Sequence, residues 1–427
     1  MVSALQIIYM RNYNRLLLLP LLLGACVMQT ACIKDDCTHT YTYYEPVYRT
    51  KDEVRANIKS NAPEEVKNPG KIYIKGAYIF LNEIDKGIHV IDNSNPAQPK
   101  NLSFINIPGN MDMAVKGNTL YADLYQDLIA IDITNPQQVV TKKIIDDAFP
   151  HRRYANGFMA DTNMIIINWN AKTQSISCSE YQNRGSCRGC IFETFSTADG
   201  SNKSAGASPF GSGGSMARFA IVNNYLYAVG NNNLDVFDIN NSAAPTKNNS
   251  VPLSFGIETI YPFKDRLFIG SNTGMLIYSL QNPATPNEIG KFEHARVCDP
   301  VIAEDNVAFV TLRSGSTCAG FTNQLDVVNI QWLPATSLFK SYPMTNPHGL
   351  SKDGNTLFVC DGAAGLKVLN ATYLSDIKTI TTISNIDTYD VIAQNGVALV
   401  VAKDGLYQYD YTNLNNIRLL SKIGITQ

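Results

Sequence analysis

A segment of about forty residues recurs along this chain, and no other feature limits its fold so strongly. Gly87-Ile88-His89-Val90-Ile91-Asp92-Asn93-Ser94-Asn95-Pro96 returns as Leu128-Ile129-Ala130-Ile131-Asp132-Ile133-Thr134-Asn135-Pro136. Related versions lie at Leu234 to Asp238, Met275 to Pro283, Leu325 to Asn329, Leu366 to Asn370 and Leu406 to Asp410. Each follows a strand-like run of the Thr119-Leu120-Tyr121-Ala122 type, seen again at Leu226-Tyr227-Ala228-Val229 and Leu357-Phe358-Val359-Cys360. A repeat of this length cannot bury its apolar faces alone and must stack on its neighbours.

Counted from those strands, the units begin near Lys71, Asn110, Arg153, Met216, Ile257, Val297, Pro347 and Thr388, which makes eight. Within the second, Met111 to Lys116, Leu120 to Leu124, Leu128 to Ile133 and Val139 to Ile145 are four short strands separated by Gly-Asn, Gln-Asp and Asn-Pro turn signals. Four strands per unit is the arithmetic of an all-β propeller, here one domain over residues 70–427 with eight four-stranded blades, or seven if unit three's strands merge with a neighbouring blade. Leu128-Ile129-Ala130-Ile131 and Ala308-Phe309-Val310 are apolar at every position, as strands sandwiched between neighbouring blades require. The residue that ends each third strand, Asp92, Asp132, Asp238, Asn329, Asn370 or Asp410, is expected to accept amides of the following turn, so these carboxylates read as turn formers rather than catalysts.

The pattern, with Leu128-Ile129-Ala130-Ile131-Asp132 its closest copy, resembles the LVIVD repeat of bacterial and archaeal cell-surface propellers. The resemblance implies a surface-exposed propeller from Gly70 onward and carries no catalytic motif to transfer.

Residues 1–31 read as an export signal. Arg11 and Arg15 precede an apolar run from Leu16 to Leu23, much shorter than the roughly 20 residues a transmembrane helix needs; Met10 offers an alternative start. Cys26 and Cys32 follow, and the segment resembles a bacterial lipoprotein signal. Leu23-Gly24-Ala25-Cys26 matches the lipobox better, whereas Ile33-Lys34-Asp35-Asp36 after Cys32 resembles the acidic surface-export tag of Bacteroidetes lipoproteins. The anchor is therefore placed at Cys32 or Cys26, the first preferred, and the protein at the outer membrane or cell surface. Residues 32–69 form a tether: a strand over Thr38 to Tyr44, then a helix through about Ser60 opened by the capping box Thr50-Lys51-Asp52-Glu53.

Nine cysteines in an exported chain point to disulfides. Cys298 and Cys318 are expected to pair within unit six, Cys360 to stay a buried thiol, and Cys178 to pair with Cys187 or Cys190 in an insertion at about 177–215. The net charge of -2 gives no reason to bind nucleic acid. No HExxH, GxSxG or P-loop pattern occurs, so a catalytic assignment has no motif behind it.

Aligned on their second strands, the units place Lys71, Asp112, Asn156, Arg218, Thr259, Asp299, Gly349 and Asp390 in equivalent positions at one opening of the central channel. With His348 and Glu258 near the rim, this ring is the expected site for a small polar ligand or a cation, calcium being the ion it would suit; no other cofactor is expected. Three functions follow from the sequence. The first is a lipid-anchored, non-enzymatic binding or scaffold protein whose partner is a surface ligand or envelope protein. The second is a propeller hydrolase or lactonase-like enzyme using a cation in the channel, and the third a subunit of an envelope assembly that makes contact through the Tyr-rich tether or the unit-three insertion.

Overall fold

The computed structural model describes residues 38–161, 163–177, 191–192, 207–208, 211–294, 300–314 and 322–425. Cys26, Cys32, Asp299, Cys178, Cys187, Cys190 and the expected Cys298–Cys318 pair lie outside them. The chain divides into two units, residues 1–45 with 170–193, and residues 46–169 with 194–427.

In the first unit, Thr38 to Glu45 lies between two other strand segments, with Tyr43 opposite Phe192 and Tyr44 opposite Ile191. Lys172 pairs with Glu45 at 2.5 Å, and Thr40 shares a hydrogen bond of 2.6 Å with Ser175.

The second unit is an all-β propeller of seven four-stranded blades. Their first strands are Pro69–Lys75, Met113–Lys116, Phe219–Val222, Ile257–Phe263, Val301–Glu304, Leu350–Asp353 and Thr388–Gln394, defining blades 1 to 7. Within each blade the four consecutive strands pair antiparallel in chain order. Blade 2, for example, continues with Thr119–Leu124, Asp127–Asp132 and Val140–Ile145.

Tight first hairpins follow from the sequence: Gly76, Gly117, Asn223 and Gly354 take positive φ of 53–57°, which glycine and asparagine adopt at least cost. Third strands are buried on both faces, as their composition requires. Leu128, Ile129, Ala130 and Ile131 are all solvent-inaccessible, and each of the three large side chains contributes about 1.5–3 kcal/mol by burial. Fourth strands are exposed or half-buried along most of their length, except in blade 1, where Ser103, Phe104 and Ile105 are buried.

The count of eight is corrected to seven. Unit three supplies no blade, because its intended second strand, Met164–Ser177, pairs with Thr38–Thr50 instead. Before that strand, Tyr154 stacks on Tyr125 of blade 2 at 4.4 Å, and its hydroxyl accepts the Ile166 amide; residues 154–161 contribute no strand. Blade 2 then meets blade 3 directly. Tyr121 donates to the Ser242 carbonyl at 2.9 Å, Lys116 to Asn224 at 2.6 Å, and Met113, Leu120 and Ile129 share one apolar cluster with Phe219, Leu226 and Phe237. The ring closes where Ile79 and Leu81 of blade 1 pack with Leu399 and Val401 of blade 7, while Asn93 and Gln408 exchange two amide hydrogen bonds.

The capping box at Thr50 and Glu53 is present, but the helix spans only Lys51–Arg55. It is firmly held: Val54 and Ile58 are buried in the cluster of blades 1 to 3, and Lys51 and Arg55 both pair with the inaccessible Asp127.

The expected turn formers all act as such. Asp92, Asp132, Asp238, Asn329, Asn370 and Asp410 each accept the amide two residues on, at 2.8–2.9 Å. Blade 4, which lacks the acid, uses the Ser279 hydroxyl at 3.2 Å.

Candidate ligand-binding cleft

Asp299 of the expected ring lies outside the described residues, and the other members have the following surroundings. Lys71, Asp112 and Arg218 come together on blades 1 to 3: Lys71 Nζ lies 3.2 Å from Asp112 Oδ2, and the same oxygen accepts the backbone N–H of Arg218. Lys71 and Asp112 are almost wholly buried. Burial pushes the Lys71 ammonium down to about 8, against the attraction of Asp112 and with repulsion from Arg218 and Arg152. Burial also raises Asp112, opposed by Lys71 and by the amides of Arg218 and Met113.

Asp390 has a different neighbourhood. Its Oδ1 accepts the Ser215 amide at 3.1 Å, and the Ser215 hydroxyl in turn accepts the Leu350 amide at 2.6 Å. Gly214 and Gly349 flank the carboxylate so closely that a Cβ on either would lie 2.1 Å from one of its oxygens. This explains the glycine at position 349, and it shows Asp390 fastening the segment after the insertion to blade 7, while Ser215 ties it to blade 6. Just before that segment, Gly211–Gly213 pairs with the innermost strand of blade 1, Ser212 opposite Ile74 and Gly213 opposite Tyr73. Part of the channel polarity is therefore spent on the protein's own chain.

Thr259 and His348 are buried; the His348 amide donates to the Cys360 carbonyl at 2.7 Å, and its ring lies 3.2 Å from the Asn346 amide. Asn156 is exposed, in a turn outside every blade, where it accepts the Phe158 amide. Glu258 is half-buried with its carboxyl raised by burial, in the field of Arg218 and Arg313. Cys360 is a buried thiol, pushed up by the same desolvation.

Arg218 also lines a cleft of about 520 Å³ beside blades 2 and 3, shared with Phe149, His151, Arg152, Arg153, Asn231 and Lys247. Phe149 packs at 5.6 Å from Phe219 and 5.8 Å from Phe237, and the Arg152 guanidinium carbon lies 5.9 Å above its ring. Lys247 is held by Asp235 at 2.8 Å and by the Ala148 carbonyl at 2.8 Å. Arg153 and His151 are exposed.

Sequence reasoning missed most of this cleft, although His151-Arg152-Arg153 is a basic run in a nearly neutral chain. It also missed what positions Arg152. Asp123, at the end of the second strand of blade 2, accepts the amides of Met111 and Asp112 at 2.9 and 2.8 Å and pairs with Arg152. Glu83 in blade 1 and Asp361 in blade 6 do the same work, accepting two consecutive amides of the loop before their first strand and pairing with His89 and Lys367. An acid just after an apolar second strand was the available signal.

Three stretches, residues 69–105, 109–147 and 213–252, match the LVIVD repeat. The chain carries LVIVD repeats. The matched stretches correspond to blades 1, 2 and 3, so the LVIVD register also passes over unit three. Among solved structures, the computationally designed Ika8 protein aligns over 85% of this chain and 90% of its own, at 9% identity and a TM-score of 0.49. Sqt1 of Saccharomyces cerevisiae aligns over 88% and 87%, at 8% identity and 0.49. BamB from Moraxella catarrhalis aligns over 83% and 84%, at 8% identity and 0.45. No curated protein sequence matches the chain.

Proposed function

We propose that the protein is a non-enzymatic binding propeller, carried to the cell envelope by a lipid on Cys32 or Cys26, whose ligand-contacting surface is the cleft beside blades 2 and 3. The observation that supports this reading is the division of labour among its polar groups. Lys71, Asp112 and Asp390 are buried and engaged with their own chain, whereas Arg153, His151 and Asn231 stand exposed around a cleft of ligand size.

Anchoring and chemistry are tested together. Palmitate labelling in a bacterial host should mark the wild type and be lost in either Cys32→Ala or Cys26→Ala. The purified protein should turn over no ester or lactone. Hydrolysis that a chelator abolishes would replace this reading with a cation-dependent enzyme, and absence of label would remove the anchor.

A further inference from the structure

Arg152 and Arg218 both line the cleft, and each carries a charge that the protein leaves incompletely satisfied. The Arg152 side chain is only 7% exposed. One of its terminal nitrogens pairs with Asp123, but its Nε is buried without an acceptor among the described residues. Arg218 donates from Nε to the Glu258 carbonyl at 3.3 Å and from Nη2 to the Ile257 carbonyl at 2.9 Å. Among the described residues it makes no ion pair. Two carbonyl groups orient a guanidinium but do not neutralise it.

The charges also oppose one another. Burial pushes Arg218 down to about 10, with repulsion from Arg152 next in size. Lys71 behind them feels both arginines. Lys71, Arg152 and Arg218 face Asp112, Asp123 and Glu258, the last a carboxyl raised by burial, and Arg153 adds a positive charge at the rim. A buried donor without an acceptor is destabilising, and two like charges in low dielectric repel strongly, so an anion placed there would relieve both penalties. A guanidinium presents paired N–H groups that match the oxygens of carboxylate or phosphate.

We infer that the cleft holds the oxyanion group of a small ligand, a carboxylate or a phosphate, between Arg152 and Arg218, with the rest of the molecule against Phe149 and Asn231. This inference rests on the cleft being the binding surface and adds the ligand class to it.

The test uses the purified propeller at constant ionic strength, with inorganic phosphate and then acetate replacing chloride. With arginine labelled by ¹⁵N, the Nε–H signals of Arg152 and Arg218 should move saturably with one or both anions. Response to phosphate alone assigns a phosphate ligand, and response to acetate alone a carboxylate. Arg218→Gln should weaken the response by about tenfold or more, the loss of one charge-assisted hydrogen bond. If neither signal moves, or if Arg218→Gln responds like the wild type, the inference is overturned. Should that variant fail to fold, the wild-type titration alone decides. A negative result would leave the lipid-anchored binding propeller standing with a neutral ligand.

Discussion

The carboxylate of Asp390 occupies the space in which Gly349 would carry a side chain, its Oδ1 standing 2.1 Å from where a Cβ would be. Equivalent positions in a propeller converge on the channel, and here convergence serves packing between blades 6 and 7. Gly349→Ala should therefore destabilise the fold by about 1–3 kcal/mol, the usual cost of forcing a group into a filled site. Equilibrium unfolding in urea measures it; an unchanged midpoint would contradict the placement of Asp390.

Lys71 and Asp112 form a buried pair, so removing one partner strands the other. Lys71→Met should cost about 3–5 kcal/mol, whereas Lys71→Met combined with Asp112→Leu should recover most of that loss. A double-mutant cycle by denaturant titration checks this. Additive losses would mean that the two side chains do not depend on each other.

The same pair gives a pH dependence whose sign is fixed. Folded Lys71 titrates near 8 and unfolded lysine near 10.5, so between these values the unfolded chain binds more protons. Its contribution to stability therefore rises with pH across that window and is least favourable below about 8. Thermal unfolding of wild type and Lys71→Met from pH 7 to 10 should diverge accordingly, the wild type gaining relative to the variant. Parallel curves would contradict the depressed ammonium.

Asp123 collects the amides of Met111 and Asp112 and the Arg152 guanidinium in one inaccessible position. Asp123→Ala should cost about 3–5 kcal/mol, since it leaves a buried cation without its partner. It should also loosen the cleft, read as faster hydrogen exchange at Met111 and Asp112. Unchanged exchange at those amides would show that Asp123 holds nothing in place.

Much of the propeller was legible because each relevant signal is local. Leu128 to Ile131 announces burial on both faces, Asp132 announces the turn after it, and both hold in the structure. The blade count failed at unit three for a nonlocal reason: Met164 to Asn168 is as apolar as a blade strand, and only the partner strand, more than one hundred residues earlier, decides its sheet. The surroundings of the channel ring were legible only in part. Alignment correctly grouped Lys71, Asp112 and Arg218, but nothing in the sequence says that Ser215 after the insertion takes up Asp390. Arg152 and Lys247 entered the cleft through loop and outer-strand geometry that periodicity does not encode.

The central claim separates an exposed cleft that meets ligand from a channel that serves the protein itself. Binding of the purified, unlipidated protein to intact cells lacking it compares the two directly, using Arg153→Glu with Lys247→Glu for the cleft and Asp390→Asn for the channel. The cleft variant should lose saturable binding while the Asp390→Asn protein, once folded, binds like the wild type. Retained binding in the cleft variant together with loss in Asp390→Asn would contradict the account.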